Sequence, residues 1–186
     1  MSLSLAGGFP ALTLILGGAR SGKSRYAETL VVGAAASGTY IATAEAGDPE
    51  MAARIEEHRR RRNHSGRGEF WHTVEESLGL AGAIRTHAAP AQPILVDCLT
   101  LWLSNLMLAG RVVEHEGEIL CAALREAGGP VVLVANEVGM GLVPETPLGR
   151  EFRDEAGRLN QQVAALADRV VFVAAGLPLV LKGAAA

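Results

Sequence analysis

The most constraining feature of the sequence is a glycine-rich segment that follows its first apolar stretch. Residues 17–24 read GGARSGKS and match the pattern G-x-x-x-x-G-K-[ST] at every position. An apolar run ends at Leu16 and a helical pattern begins at Lys23, which is the strand–loop–helix setting that the motif requires. The sequence therefore predicts that the N–H groups of this loop and the positive end of the next helix bind the phosphates of a nucleotide.

Every residue of this phosphate loop is a candidate nucleotide contact. The set is Gly17, Gly18, Ala19, Arg20, Ser21, Gly22, Lys23 and Ser24. Lys23 is expected to reach the β- and γ-phosphates and to act in catalysis, while Ser24 is expected to ligate Mg²⁺. A chance glycine turn is the alternative, which the complete motif and its setting disfavour. The loop predicts nucleotide binding without indicating what is done with the nucleotide.

Apolar segments of strand length alternate with helical patterns along the chain. The strand-like segments are 12–16, 39–42, 93–96, 131–135 and 170–174, and the helical patterns are 24–32, 50–61, 99–108 and 150–167. Continuous apolar runs are typical of strands covered on both faces, as in a parallel sheet. The alternation predicts a doubly wound α/β fold in one domain over residues 1–186, with a disordered start and a frayed tail at 184–186.

Composition narrows the possible partners and compartment. Lys and Arg number 17 against 20 Asp and Glu, a net charge of −3, which argues against a nucleic-acid-binding surface. No apolar run is long enough to cross a bilayer. Cys98 and Cys121 cannot form a disulfide scaffold, and neither has His or Cys at metal-ligand spacing. We therefore expect structural thiols, a reducing compartment and a cytoplasmic protein.

A carboxylate at the end of the third apolar run is a candidate metal ligand. Asp97 follows residues 93–96, and an acid at the carboxyl end of a strand faces the ligand crevice of an open α/β sheet. It is expected to share Mg²⁺ with Ser24. The alternative is that Asp97 caps the helix that begins near Thr100. Asn136 and Glu137 end the next run and are expected to face the same crevice or to form a turn.

A histidine beside a basic run is the candidate nucleophile. Residues 48–62 read DPEMAARIEEHRRRR, and Met51, Ile55 and His58 share one helical face. The four residues that follow are Arg59, Arg60, Arg61 and Arg62. Arginines bind phosphate oxygens in bidentate fashion, and a neutral imidazole can attack phosphorus. The alternative is a solvated basic helix end with an ordinary surface histidine.

Six segments together resemble one known family over about 14–182. They read GGARSGKSRYAE, YIATAEAGDPEMAARIEEH, WHTVEE, VDCLTLWLSNLM, ANEVGMGLVPETPLGREFRDEAGRLNQQVAALAD and GLPLVLK. The chain resembles the bifunctional adenosylcobinamide kinase / adenosylcobinamide-phosphate guanylyltransferase family of cobalamin biosynthesis. The resemblance implies a three-layer P-loop NTPase fold, RecA-like, with a mainly parallel central sheet. It also implies a homo-oligomer.

The resemblance implies two reactions on one acceptor. ATP or GTP first phosphorylates the aminopropanol hydroxyl of adenosylcobinamide. GMP is then transferred from GTP to that phosphate through a GMP–histidine intermediate, with release of pyrophosphate. The family histidine lies in a pattern R-I-x-x-H, which falls here on residues 54–58 and makes His58 the implied nucleophile.

The same resemblance implies further GTP contacts outside the phosphate loop. They fall on Thr43, Ala44 and Glu45 after the second strand, on Arg59, Arg60, Arg61 and Arg62, on Glu75 in the W-x-T-x-E segment, and on Asp97.

The sequence departs from the family pattern between the histidine and the tryptophan. Trp71 follows His58 at a longer distance than in the family, so the loop 63–69 is lengthened and His64 becomes a rival nucleophile. Ser77 stands where the family often has proline. Two other functions stay open from the residues alone. One is a monofunctional small-molecule kinase, and the other is a non-catalytic nucleotide-dependent switch.

Overall fold

The computed structural model describes residues 9–45, 47, 49–64 and 70–183. Its strands are β1 (Leu12–Gly17), β2 (Gly38–Ala42), β3 (Trp71–Glu75), β4 (Ile94–Asp97), β5 (Val131–Asn136), β6 (Arg169–Ala174) and β7 (Leu177–Lys182). Its helices are α1 (Lys23–Ala34), α2 (Pro49–His64), α3 (Leu80–His87), α4 (Leu99–Leu108), α5 (Val113–Glu126) and α6 (Pro147–Leu166).

The strands form one twisted sheet in the order β3-β2-β4-β5-β1-β6-β7. Every neighbouring pair is parallel except β6 and β7, which form an antiparallel hairpin at one edge. Because the first six strands run the same way, their carboxyl ends meet at one edge of the sheet. This arrangement confirms the predicted mainly parallel α/β sheet.

The core lies on both faces of the sheet because successive side chains of a strand point to opposite sides. In β1, Leu14 and Leu16 pack with α3, α4, α5 and α6, whereas Ile15 packs on the opposite face with Ala27 and Val31 of α1. The continuous apolar runs in the sequence follow from this two-sided burial. No helix within the described ranges has the length and apolar character needed to cross a membrane.

All five expected strands and all four expected helices form, with ends that shift by up to three residues. Four further elements, β3, β7, α3 and α5, have no counterpart in the expectations. Both extra strands lie at sheet edges. The N-cap residues of the two extra helices, Gly79 and Val112, form no side-chain cap hydrogen bond. The expected disordered start, the frayed tail and residues 65–69 of the lengthened loop lie outside the described residues.

Candidate active site

A cleft of about 990 Å³ opens at the carboxyl edge of the sheet. The phosphate loop forms one side, the ends of β2, β3, β4 and β5 form its floor, and α2 borders it. Ala42 is paired with Glu75 on one side and with Asp97 on the other. Adjacent strands are about 4.8 Å apart, so the two carboxylate-bearing residues are separated by about 10 Å across the floor.

The phosphate loop has the conformation that its glycines predict. Gly22 precedes α1 with φ +95°, in the left-handed region that favours glycine. A Cβ at Gly17 would lie 2.5 Å from the carbonyl oxygen of Val173, so no larger residue fits there. Lys23 is 8% exposed, and its Nζ donates a hydrogen bond to the carbonyl of Gly18 at 3.0 Å. The lysine is thus folded back over the loop that is expected to bind phosphate.

The β6–β7 turn packs against the phosphate loop and is hydrogen-bonded to it. The N–H of Gly176 donates to the carbonyl of Ser21 at 2.8 Å. A Cβ built on Gly22 would lie 3.2 Å from the Cα of Gly176, so the two backbones are in close contact. Gly176 also lines the cleft. Sequence reasoning missed this residue, although a glycine between two apolar runs indicates a turn.

Asp97 lies on the cleft floor and is not the N-cap residue of α4. The N-cap residue of that helix is Cys98, without a side-chain cap hydrogen bond. The hydroxyl of Tyr40, a residue that sequence reasoning also missed, donates to Asp97 Oδ2 at 2.9 Å. The helix-cap alternative for Asp97 therefore does not describe this structure.

The oxygen atoms around the cleft suit a magnesium–nucleotide complex. Ser24 and Asp97 both line it, one with a hydroxyl and one with a carboxylate. Mg²⁺ prefers oxygen ligands and commonly takes one or two from protein and the rest from phosphates and water. Within the described residues there is no group of three or more His, Cys, Asp or Glu that could hold a metal. A site that shares its ion with bound phosphates fits this donor set.

In the segment after β2, residues 43–45, two residues line the cleft and one is buried in the interior. Ala44 and Glu45 line the cleft, as expected of nucleotide contacts. Thr43 is fully buried, and its hydroxyl is hydrogen-bonded to the backbone of Cys98. Burial, and secondarily the Asp97 carboxylate, raise the pKa of the Cys98 thiol to about 12. This thiol is therefore neutral near pH 7 and is not a nucleophile.

Helix α2 brings part of the basic run to the cleft. Ile55 and Arg59 line it, and Arg59 forms an ion pair with Glu75 at the end of β3. Arg60 pairs with Glu56 one turn earlier and does not line the cleft. The side chains of His58, Arg61, Arg62 and His64 lie outside the described residues.

Of the strand-end polar pair Asn136 and Glu137, one residue reaches the cleft. Asn136 lines it, and its N–H donates to Thr100 Oγ1 at 2.7 Å. Glu137 accepts a hydrogen bond from the N–H of Gly139 and forms a turn. Of the two alternatives predicted for this pair, Asn136 therefore faces the cleft and Glu137 forms a turn.

A comparison with known proteins identifies the family. The sequence profile described as cobinamide kinase / cobinamide phosphate guanyltransferase matches residues 13–181. The chain belongs to the cobinamide kinase / cobinamide phosphate guanyltransferase family. The resemblance drawn from the six sequence segments is confirmed, and with it the assignment as a kinase and guanylyltransferase of cobalamin biosynthesis.

Curated members of this family match over nearly their whole lengths. The bifunctional adenosylcobalamin biosynthesis protein CobP of Pseudomonas aeruginosa is 50% identical over 172 residues, covering 91% of this chain and 96% of the relative. The proteins named bifunctional adenosylcobalamin biosynthesis protein CobU from Salmonella typhimurium and Escherichia coli are 43% and 42% identical. Each alignment covers 92% of this chain and 99% of the relative.

The fold of this family member also recurs in a distant solved structure. The flagellar accessory protein FlaH from Methanocaldococcus jannaschii superposes with a TM-score of 0.51 at 14% identity, over 97% of this chain and 82% of that one. At this identity the likeness concerns the fold alone. Together with the strand order it supports the predicted α/β architecture with a mainly parallel central sheet.

Proposed function

We propose that this protein phosphorylates adenosylcobinamide with ATP or GTP and then transfers GMP from GTP to the new phosphate. The products of the second step are adenosylcobinamide-GDP and pyrophosphate. The observation that carries the proposal is the joining of a complete phosphate loop, a strand-end carboxylate and the arginine helix α2 around one cleft. Family membership supports both activities.

For the kinase step, we propose that the chain positions the nucleotide and stabilises charge, as is general for phosphoryl transfer. The loop N–H groups and Lys23 bind the β- and γ-phosphates as the γ-phosphoryl group moves to the acceptor hydroxyl. Ser24 and Asp97 would hold Mg²⁺, which would supply positive charge to the phosphates. The buried Tyr40 hydroxyl keeps the Asp97 carboxylate oriented toward the cleft.

For the guanylyl step, we propose His58 as the nucleophile. A neutral ring nitrogen attacks the α-phosphorus of GTP, and the bond to pyrophosphate breaks. A phosphate oxygen of cobinamide phosphate then attacks the same phosphorus, and the phosphorus–nitrogen bond breaks to release imidazole. The support is positional, because residue 58 belongs to α2 and its neighbours Ile55 and Arg59 line the cleft. His64 at the end of α2 is the rival.

Arg59 and Glu75 are proposed as nucleotide contacts that approach the ligand as a pair. Their ion pair joins α2 to the end of β3, with both side chains partly open to water. An exposed pair of this kind contributes little to stability. Arg59 is therefore available to exchange its carboxylate partner for a phosphate oxygen when GTP binds, a contact that guanidinium geometry favours. We propose the same phosphate role for Arg61 and Arg62, and for Arg60 if it exchanges Glu56 for a phosphate oxygen.

The assembly and location expected from sequence are part of the proposal. The edge strand β7 carries three exposed leucines at every second position, Leu177, Leu179 and Leu181. Their side chains therefore lie on the same face of the strand. Such an apolar face supports a homo-oligomer, which light scattering of the purified protein would test. The cytoplasmic location and the absence of nucleic-acid binding stay predictions.

A turnover experiment tests the proposed function. Purified protein is incubated with adenosylcobinamide, Mg²⁺ and either ATP or GTP, and the corrinoids are followed by chromatography and mass spectrometry. We expect cobinamide phosphate with either nucleotide, and adenosylcobinamide-GDP with pyrophosphate when GTP is present. A reaction that stops at cobinamide phosphate would favour the monofunctional kinase. Slow nucleotide hydrolysis that ignores the corrinoid would favour the switch.

A further inference from the structure

Thr43 makes three hydrogen bonds to the backbone that carries Asp97 out of β4. Its N–H donates to the carbonyl of Asp97 at 3.3 Å. Its hydroxyl donates to the carbonyl of Cys98 at 2.7 Å and accepts from the N–H of Cys98 at 2.8 Å. The regular pairing of β2 with β4 ends at Ala42 and Asp97. Thr43 therefore extends the pairing of β2 with β4 by one residue. Its N–H bonds to Asp97, and its side-chain hydroxyl makes the two hydrogen bonds to the backbone of Cys98.

The same threonine is joined to the loop that follows β3. The side-chain amide of Asn105 in α4 donates to the carbonyl of Thr43 at 2.8 Å and to the carbonyl of Ser77 at 3.1 Å. The residues after β2, β3 and β4 are thus fastened to one another by a single hydrogen-bonded network. Both carboxylates of the cleft floor are connected to this network. Asp97 belongs to it through its carbonyl, and Glu75 lies two residues before Ser77.

The Thr43 side chain itself is fully buried and does not line the cleft. The hydroxyl already donates one hydrogen bond and accepts another in the interior. A contact with a nucleotide would require breaking them, which costs free energy. Its neighbours Ala44 and Glu45 do line the cleft. The side chain therefore acts on the site through the backbone that it fixes.

We infer that Thr43 is a positioning residue that sets the direction of the Asp97 carboxylate toward the metal–phosphate complex. The inference rests on the proposed function only in taking Asp97 as the group that faces Mg²⁺ and phosphate. Removing the hydroxyl leaves the Cys98 N–H and carbonyl without those partners in a buried place, so the segment shifts to find others. The phosphate loop lies on another strand and keeps its own geometry.

The chain offers a matched control for this test. Thr43→Val replaces the hydroxyl with a methyl group of similar size, and Thr43→Ser retains the hydroxyl. Thr13→Val makes the same change in β1 at another fully buried threonine, whose hydroxyl has no hydrogen-bond partner within the described residues. The Thr13 variant thus reproduces the chemical change without breaking a hydrogen bond.

The measurement compares nucleotide binding with and without metal. Mn²⁺ binding in the presence of a non-hydrolysable GTP analogue is followed by electron paramagnetic resonance, and analogue binding in EDTA is followed by calorimetry. For Thr43→Val we expect Mn²⁺ affinity to fall about tenfold or more, the usual effect of a lost buried hydrogen bond, while binding in EDTA stays within about threefold. Thr43→Ser and Thr13→Val should resemble the wild type.

A purely structural role for Thr43 predicts another pattern. Both affinities would then fall together and follow the loss of thermal stability, and that result would overturn the inference. If Thr43→Val does not fold, Asn105→Ala replaces it, because it loosens the same network from the partly exposed end of α4. Unchanged Mn²⁺ affinity in Asn105→Ala would also overturn the inference. A wild type that binds Mn²⁺ with the analogue but makes no cobinamide phosphate would contradict the proposed function and leave this test valid.

Discussion

Replacing Gly176 with alanine isolates the contribution of the β6–β7 turn to nucleotide binding. Gly176 has φ +79°, and a Cβ there would meet no atom within 4 Å. The cost of Gly176→Ala is therefore the backbone cost of alanine in the left-handed region, about 1–2 kcal/mol. For a chain of this size that corresponds to a fall in Tm of about 2–8 °C. Relaxation of φ also weakens the 2.8 Å hydrogen bond from Gly176 to Ser21.

Gly110→Ala is the matched control for this change. Gly110 follows α4 with φ +67°, it has open space for a Cβ, and it does not line the cleft. Both variants should lose similar stability in thermal unfolding. In GTP titrations by calorimetry, Gly176→Ala should bind about 2- to 10-fold more weakly, the effect of one neutral hydrogen bond, whereas Gly110→Ala should bind like the wild type. Equal GTP affinities in the two variants would refute the idea that this turn supports the phosphate loop.

Two further substitutions test the charged groups of the cleft by steady-state kinetics of cobinamide phosphorylation. Lys23→Ala should lower kcat by about 10²–10³-fold, because it removes positive charge at the transferring phosphoryl group. The control is Lys182→Ala, which removes a lysine that binds carbonyls at the end of α6 and should leave kcat unchanged. Similar losses of kcat in the two variants would argue against the assignment of the phosphate loop. Asp97→Asn should raise the Mg²⁺ concentration needed for half-maximal rate without lowering Tm. The exposed Asp154→Asn is its control, and normal turnover of Asp97→Asn at limiting Mg²⁺ would contradict a metal-binding role.

The fold was predictable from sequence where burial is two-sided. The apolar runs at β1 and β5 are long enough to mark central strands, and the structure places these two side by side. The edge strands were missed because exposure removes that signal. In β3 the residues are mixed, as in WHTVE, and in β7 a proline interrupts the apolar run. Proline is tolerated there because an edge strand needs fewer ladder hydrogen bonds.

The start of α6 shows that local signals can outweigh periodicity. Counting apolar spacing placed its beginning at residue 150, whereas the helix starts at Pro147. Thr146 accepts a hydrogen bond from the N–H of Gly149, and proline occupies the first helical position. Both are known start signals that a reading of apolar period alone passes over.

The candidate site was predictable where one short motif carries the chemistry. The loop and Asp97 could be placed at the cleft because both lie directly after a strand end. Tyr40, Asn105 and Gly176 could not, because their roles depend on which distant strand ends the fold brings together. Tyr40 lies 57 residues from its partner Asp97 in sequence, and no local pattern marks such a pair.

Detection of a covalent guanylyl adduct is the most direct test of the proposed two-step mechanism. Protein incubated with GTP and Mg²⁺ without corrinoid should gain the mass of one GMP, and peptide mapping should place it on His58. A phosphorus–nitrogen bond should be labile in acid and durable in alkali. His58→Ala should lose the adduct, and His115→Ala, which alters an exposed histidine of α5, should retain it. An adduct on His64 would move the nucleophile to the C-terminal end of α2. The absence of any adduct and of pyrophosphate release, even with cobinamide phosphate present, would contradict the guanylyltransferase mechanism.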